Sequence, residues 1–145
     1  MIVAFFGHSK ICEANKDKIL FNLFEHVSLN EEVTFFLGGY GVFDNLALLA
    51  CAEFKLKNKR SELCFVTPYL DNKYLKRKIA LGCYDRIIFP DLENVPKKYA
   101  VIRRNYWMVK KADFIVAYVK HSWGGAAKAL EYAKKLKKDF INIAE

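Results

Sequence analysis

Two apolar runs in this sequence end in glycine-containing turns, and each turn is followed by a helix-like stretch. The first run covers residues 33–37 and leads into Gly38-Gly39-Tyr40-Gly41; the second covers residues 113–119 and leads through residues 121–123 into Gly124-Gly125-Ala126. Because glycine has no Cβ, a ligand can approach its backbone closely, and a helix start adds unpaired N–H groups and partial positive charge. The repeated pattern predicts two anion-binding junctions at the edge of an α/β sheet.

Strand-like and helix-like segments alternate along the whole chain. The strand-like runs are mostly apolar and lack period-two alternation, as expected for strands of a parallel sheet covered on both faces; they cover residues 2–6, 33–37, 63–66, 86–89, 114–119 and 140–143. With 145 residues, 53% of them hydrophobic, the chain is long enough for one sizeable core. The fold prediction is α/β: a single Rossmann-like domain over residues 1–145, with a mostly parallel sheet and helices on both faces.

The formal net charge of +8 favours an anionic partner. The basic residues are dispersed over several helix-like stretches, and three clusters fall near a predicted helix C-terminus, where the helix dipole favours cations. The sequence contains no recognised nucleic-acid motif. A nucleotide or a phosphorylated small molecule is therefore the predicted partner, and nucleic acid remains an open alternative.

The four cysteines indicate a reducing environment and no metal site. Cys12, Cys51, Cys64 and Cys83 lack the close CxxC pairing of a zinc or redox motif, and Cys51 and Cys64 lie in apolar runs typical of core residues. The sequence starts with a strand-like run rather than a signal peptide, and no run is long enough to cross a bilayer. These features predict a cytoplasmic protein without a membrane partner, a metal or a cofactor.

Small, hydrogen-bonding and aromatic residues follow the predicted strands, whereas the loops at the opposite edge are mostly charged. Ligands of open α/β sheets bind at the carboxyl ends of the strands. The residues predicted to contact a ligand are Gly7, His8, Ser9, Gly38, Gly39, Gly41, Arg104, Ser122, Gly124, Gly125 and Ala126. The first strand lacks a following G-x-G-x-x-G, and the chain lacks G-x-x-x-x-G-K-[ST], which argues against a nicotinamide dehydrogenase and a P-loop ATPase.

For several side chains near the predicted site, the sequence is compatible with either a structural role or ligand binding. Asp44 follows the first glycine turn and is either a helix cap or a carboxylate that contacts ribose or acts as a general base. Trp123 either stacks on a base or forms a hydrophobic lid. Arg103 and Arg104 are adjacent on one predicted helix, so only one of them faces the site. Arg104 is predicted to bind phosphate, because the guanidinium fork matches phosphate oxygens.

An ordered set of short motifs resembles the SLOG superfamily. The motifs are Gly7-His8-Ser9, Gly38-Gly39-Tyr40-Gly41, Arg104-Asn105-Tyr106-Trp107-Met108-Val109, Ala112-Asp113 and Gly124-Gly125-Ala126. They span nearly the whole chain in the family's order and are most similar to its small uncharacterised bacterial and phage members. The superfamily also includes the lonely-guy phosphoribohydrolases and the DNA-processing protein A domain. The resemblance implies a Rossmann-like fold, nucleotide or nucleotide-derived ligands and a homodimer.

The resemblance to the lonely-guy enzymes is incomplete at the residues that they use for catalysis. Those enzymes use an arginine in R-K-x-x-M and a glutamate in P-G-G-x-G-T-x-x-E to hydrolyse an N-glycosidic bond. Arg104 and Met108 match the first motif, but the glutamate position falls on Ala129. Glu131 is two residues further on, about 200° away around a helix, so it does not replace the missing acid directly. The hydrolytic pair is predicted to be broken.

These observations predict a sensor or accessory protein that binds a nucleotide or a nucleotide-derived molecule. The glycine turns would supply backbone amides, Arg104 and Ser122 would contact phosphate, and either His8 or Asp44 would contact base or ribose. Two alternatives stay open. One is a hydrolase or transferase that acts on the N-glycosidic bond of a nucleoside monophosphate, with Asp44 and Arg104 as its catalytic residues. The other is a DNA-binding accessory protein.

Overall fold

The computed structural model describes residues 1–10, 15–79 and 82–144, and it contains the predicted alternation of strands and helices. The strands are β1 (Ile2–Gly7), β2 (Val33–Leu37), β3 (Ser61–Val66), β4 (Arg86–Ile88), β5 (Phe114–Tyr118) and β6 (Asp139–Asn142). The helices are α1 (Lys16–His26), α2 (Gly41–Lys57), α3 (Asn72–Ile79), α4 (Lys97–Lys111) and α5 (Gly125–Lys135). The six predicted strands are confirmed, with ends that differ from the prediction by at most about two residues.

Helices cover both faces of the sheet, as predicted. Successive side chains of a strand point to opposite faces, so each strand contributes to two cores. On one face, Phe5 packs with apolar side chains of α1 and α2, among them Phe54. On the other face, Phe36 packs with side chains of α4 and α5, among them Met108 and Leu130. This two-sided burial explains the apolar runs of the inner strands β1, β2, β3 and β5, whereas the edge strands β4 and β6 contain no buried residue.

The six strands form one sheet in the order β4-β3-β2-β1-β5-β6. All five neighbouring pairs are parallel, so the sheet predicted as mostly parallel is parallel throughout the described residues. From β1 the chain adds strands outward to β4, and it then returns to the other side of β1 to add β5 and β6. Because α1 and α5 pack on opposite faces, the connections after β1 and β5 diverge and open a crevice at the carboxyl ends of these strands.

The cysteines lie where the sequence predicts, as far as the structure describes them. Cys51 and Cys64 are buried with free thiols, which confirms that they are core residues. Cys83 is half-buried, and Cys12 lies outside the described residues. None of the helices in the described ranges is both long enough and apolar enough to cross a membrane. The cytoplasmic location stays a prediction.

Helix α3 differs from the other helices because none of its residues is buried. It contacts the carboxyl end of the sheet through the ring of Tyr74, whose centroid lies 5.9 Å from that of Phe65. At its other end, Lys78 Nζ donates a hydrogen bond to Gly39 O. Basic residues make up half of this eight-residue helix: Lys73, Lys76, Arg77 and Lys78. Helix α3 therefore adds positive charge to the edge of the sheet at which the predicted site lies.

Candidate functional site

A cavity of about 530 Å³ lies at the carboxyl ends of β1 and β5, where the strand order reverses. We call it the first cavity. The predicted site residues that line it are Gly7, His8, Ser9, Gly38, Asp44, Arg104, Gly124, Gly125 and Ala126. The cavity lining does not include Gly39, Gly41 or Ser122. Lys10, Tyr40 and Asn105 line it as well, although they are not among the residues predicted to contact a ligand.

The N-terminus of α5 forms one side of the first cavity and has no side-chain cap. Gly124 occupies the N-cap position with φ +93°, and the first turn of the helix contains no acidic residue. The first helical hydrogen bond runs from Lys128 N–H to Gly124 O (3.1 Å), so the amides of residues 125–127 precede it. Unpaired N–H groups at a helix start favour an anion, particularly a phosphate. The predicted glycine junction after β5 therefore has the geometry of an anion site.

Three rings form a continuous stack along the cavity. The rings of His8 and His121 are stacked with centroids 3.7 Å apart and planes 13° apart. Those of His121 and Trp123 are stacked with centroids 3.8 Å apart and planes 14° apart. Trp123 is at the end of the stack and is 67% exposed. One face of its indole is covered by His121, and the ring remains accessible to a planar ligand group.

His8 links the connections that follow β1 and β5. Its Nε2 accepts hydrogen bonds from the backbone N–H groups of Lys120 (2.8 Å) and His121 (3.4 Å). A ring nitrogen that accepts cannot carry the proton, so the neutral imidazole of His8 is protonated on Nδ1. Burial, followed by the proximity of His121, lowers the pKa of His8 and maintains this neutral form. The side chain thus fixes the shape of the cavity wall and holds the stack together.

Arg104 is a structural bridge between two strands. It is 3% exposed, and its Nη1 donates to Gly38 O (3.0 Å) and to Val66 O (2.7 Å). Its Nε donates to Asn105 Oδ1 (2.8 Å). The guanidinium thereby joins the carboxyl ends of β2 and β3, while the adjacent Arg103 is exposed. Of the two arginines, Arg104 lies at the cavity wall. The prediction was that its guanidinium binds phosphate, but its Nη1 already donates to two backbone carbonyls.

Asp44 lies in the first turn of α2 and is buried. Its Oδ2 accepts a hydrogen bond from Tyr40 N–H (2.9 Å), the amide of the N-cap residue. Burial raises the pKa of Asp44 to about 6, although the bond from Tyr40 and the charges of Arg104 and Lys78 act in the opposite direction. The carboxylate therefore caps the start of α2 from inside the helix. Its predicted role toward ribose, or as a general base, remains a prediction.

The glycine turn after β2 serves packing more than ligand contact. Gly41 has φ +90°, and a Cβ there would lie 2.5 Å from Ser9 Cα. The adjacent amide of Val42 donates to Ser9 O (2.9 Å), so the turn is bonded directly to the loop after β1. A Cβ on Gly39 would lie 2.7 Å from the ring of Phe65. The two predicted anion junctions therefore differ. Tyr40 N–H and Val42 N–H of the turn after β2 are bonded to Asp44 and Ser9, whereas the amides of residues 125–127 precede the first helical hydrogen bond of α5.

The site contains few groups for bond cleavage. Ala129, at the position where the lonely-guy motif has its glutamate, is fully buried among apolar residues of α4 and α5. Asp44 is the one carboxylate among the described lining residues. Within the described ranges, no three His, Cys, Asp or Glu side chains are grouped so that they could hold a metal ion.

Asp44→Asn is expected to change the pH dependence of stability. Because the pKa of Asp44 is about 6 in the folded protein and 3.8 for an ordinary aspartate, the folded state holds a proton between these values that the unfolded state releases. This group alone therefore makes the folded protein less stable as the pH rises from about 4 to about 6. Asparagine removes the titration and keeps an oxygen that can accept from Tyr40 N–H.

The measurement is the free energy of unfolding in urea at several pH values for both proteins. The variant should gain stability relative to wild type as the pH rises through this window, and the difference should become constant above about pH 7. The lowered pKa of His8 has the opposite effect, but His8 is present in both proteins and cancels. A difference that does not vary with pH would show that Asp44 titrates normally.

The fold is shared with solved structures of DNA processing protein A. The protein from Streptococcus pneumoniae matches with a TM-score of 0.66 and 16% sequence identity, over 95% of this chain and 48% of that one. The protein from Helicobacter pylori matches with a TM-score of 0.65 and 15% identity, over 97% of this chain and 63% of that one. The chain has the Rossmann-like fold of these proteins. This confirms the fold that the resemblance to SLOG implied.

Both likenesses concern the fold. The chain spans about half of the Streptococcus pneumoniae protein and 63% of the Helicobacter pylori protein. The Helicobacter pylori structure concerns the single-stranded DNA binding mode of that protein. No family model and no curated protein matches the sequence. Function must therefore be argued from the cavity and its residues.

Proposed function

We propose that the first cavity binds a nucleotide or a nucleotide-derived molecule through both its phosphate and its base. The observation that carries this proposal is that one cavity combines an uncapped helix N-terminus with an accessible indole ring. The amides of residues 125–127 suit a phosphate, and the ring of Trp123 suits a base. Trp123 directly precedes Gly124, so a single connection supplies both contacts.

The surrounding residues support these two contacts. His8 holds the stack on which Trp123 rests, and Arg104 holds Gly38 in the opposite wall. Lys10 lies in the cavity lining and adds a positive charge for an anionic ligand. In this arrangement Arg104 is a positioning residue, and phosphate binding depends on backbone amides. The net charge of +8 increases the rate at which an anion reaches the site.

Trp123→Ala is expected to weaken the binding of nucleoside monophosphates. Loss of stacking on one base costs about 1–3 kcal/mol, which corresponds to about 5- to 150-fold in affinity. Isothermal titration of AMP and thymidine 5′-monophosphate measures this effect. Trp107→Phe is the matched control, because the half-buried Trp107 stacks on Phe36 and does not line the cavity. No binding by wild type at millimolar nucleotide, or equal affinities of both variants, would refute the proposal.

A second candidate function is binding of single-stranded DNA as an accessory protein. It is favoured by the shared fold with the Helicobacter pylori protein, whose structure concerns single-stranded DNA, and by the positive charge of the chain. Phosphate contacts release counterions, so affinity for an oligonucleotide would fall steeply as salt is raised. Titration of a labelled single strand at several salt concentrations tests this. An affinity for the strand no higher than that for a mononucleotide would exclude it.

The hydrolase or transferase alternative now depends on Asp44. This carboxyl is at the cavity wall, and its raised pKa of about 6 is suited to proton transfer near neutral pH. A nucleobase-release assay on nucleoside monophosphates tests this role. The alternative requires activity that Asp44→Asn abolishes while the fold is retained, and absence of base release by wild type would eliminate it.

We also propose that the protein is a homodimer. Helices α1 and α2 pack against each other, and each leaves two large apolar side chains exposed: Phe21 and Phe24 on α1, and Leu49 and Leu56 on α2. None of the four lines the first cavity, so this face can be covered without closing the site. Sedimentation velocity measures the mass in solution. A monomer at high concentration would contradict this proposal.

A further inference from the structure

A second cavity of about 530 Å³ opens at the same edge of the sheet, beyond the carboxyl ends of β3 and β4. We call it the second cavity. It lies between α3 and the start of α4, and three of its lining residues are aromatic: Tyr69, Tyr74 and Phe89. Arg77 and Lys97 line it as well. The function proposed above makes no use of this cavity, although its aromatic and cationic lining suits the same ligand chemistry.

The aromatic wall of the second cavity is held in place by its surroundings. The fully buried Thr67 donates through Oγ1 to Tyr69 O (2.7 Å) and accepts from Tyr69 N–H (3.2 Å). The rings of Tyr69 and Tyr74 meet edge to face with centroids 5.5 Å apart. Asp71 Oδ1 accepts from Tyr74 N–H (2.9 Å), so this carboxylate caps the start of α3. Rings that are already ordered lose little entropy when a planar group packs on them.

The charge around the second cavity favours a phosphate. Helix α3 has four basic residues and no acidic one. The first turn of α4 contains Lys97 and Lys98 and no acidic residue, at the end of a helix that favours negative charge. The four ion pairs in the described ranges do not include Arg77 or Lys97. Asp71 and Glu93 line the cavity too, but neither forms an ion pair with these cations, and Asp71 accepts from Tyr74 N–H. The six basic side chains of α3 and of the first turn of α4 outnumber these two carboxylates.

The two cavities are neighbours on α4. Ala100 lines the second cavity, whereas Val101 and Arg104 of the same helix line the first. The electrostatic influence of Arg104 also extends to Tyr74, where it lowers a pKa that burial raises. Both cavities open at the carboxyl edge of one sheet, as the strands after which they lie are parallel. A ligand with two linked units could thus contact both.

We infer that the second cavity binds a second nucleotide unit, with its base against Tyr69 and Phe89 and its phosphate between Arg77 and Lys97. The unit is either a free nucleotide or the next residue of a strand that also occupies the first cavity. Only the strand form rests on the function proposed for the first cavity.

Tryptophan fluorescence can report on each cavity separately. The chain has two tryptophans, and Trp107→Phe leaves Trp123 as a reporter for the first cavity. A triple variant that carries Trp107→Phe, Trp123→Phe and Tyr69→Trp has its only tryptophan in the second cavity. Because a substitution at Tyr69 could disturb its turn, Phe89→Trp in the same background provides an independent reporter. Each protein is titrated with thymidine 5′-monophosphate and with a thymidine octanucleotide.

We expect both titrants to quench the reporters in the second cavity. Arg77→Glu should weaken this response at least fivefold, while Lys59→Glu, the same charge change in the exposed turn before β3 at the opposite edge, should affect it much less. If the half-saturation concentration of the octanucleotide is at least tenfold lower than that of the mononucleotide in both cavities, the ligand is a strand, because linkage raises the effective concentration. Equal half-saturation concentrations of the two titrants identify the ligand as a free nucleotide.

Silence of both second-cavity reporters in folded protein would overturn the inference. If Trp123 still responded, the function proposed for the first cavity would be unaffected. A response confined to the second cavity would retain the inference and refute that function. Equal weakening by Arg77→Glu and Lys59→Glu would also overturn it, since the effect would then reflect net charge and not this site.

Discussion

Arg104→Ala is expected to lower the free energy of unfolding at pH 7 by about 2–6 kcal/mol, because each of two buried carbonyls that lose their donor costs about 1–3 kcal/mol. The guanidinium is 3% exposed and bonds to Gly38 O and Val66 O. Alanine would leave both carbonyls without this donor and would remove one of the two positive charges, Arg104 and Lys78, that act on the buried carboxyl of Asp44.

Urea denaturation measures this loss, and Arg103→Ala is the matched control. Arg103 is the adjacent residue of α4 and is exposed, so its replacement should change stability by no more than about 0.5 kcal/mol. The loss for Arg104→Ala should be smaller at about pH 5 than at pH 7, because a protonated Asp44 no longer needs a nearby cation. A loss below about 1 kcal/mol at pH 7 would contradict the bridging role.

Gly41→Ala is expected to lower the free energy of unfolding by about 2–5 kcal/mol. The positive φ of +90° is unfavourable for alanine by about 1–2 kcal/mol. In addition, the new Cβ would lie 2.5 Å from Ser9 Cα, which is a backbone atom, and overpacking of this kind costs about 1–3 kcal/mol. To avoid this contact, the turn after β2 would have to move away from the loop after β1. This movement would disturb the wall of the first cavity.

Gly82→Ala separates the two contributions to this loss. Gly82 also has a positive φ (+67°), but a Cβ there would meet nothing within 4 Å. Its replacement should therefore cost only about 1–2 kcal/mol, the conformational part alone. Thermal or urea denaturation of both variants gives the comparison. Equal losses would mean that the backbone at Ser9 yields to the added methyl group at little cost.

The strands could be predicted because burial on both faces leaves a direct trace in the sequence. A strand such as Val33–Leu37 has helices above and below it, so every position favours an apolar side chain. The helix faces could be predicted for the same reason, since Phe43, Ala47 and Phe54 of α2 all meet one core.

The candidate site could be predicted in position but only partly in mechanism. That Gly124 and Gly125 open the N-terminus of α5 at a cavity follows from local pattern and was expected. Ligand contact by Gly39 and Gly41 stays a prediction: neither lines the first cavity, and their close neighbours, Phe65 and Ser9, come from other parts of the chain. Ser122 is exposed beside the cavity and does not line it.

The sequence by itself determined that this chain forms a doubly covered α/β sheet with small residues at its carboxyl edge, since apolar periodicity and glycine turns are local properties. The tertiary structure alone decided what the individual side chains do. It placed Arg104 beneath two backbone carbonyls, stacked His8 on His121 and Trp123, and opened the second cavity beside α4. These roles depend on contacts between residues far apart in the chain, and burial and hydrogen-bond competition at such contacts have no counterpart in local sequence.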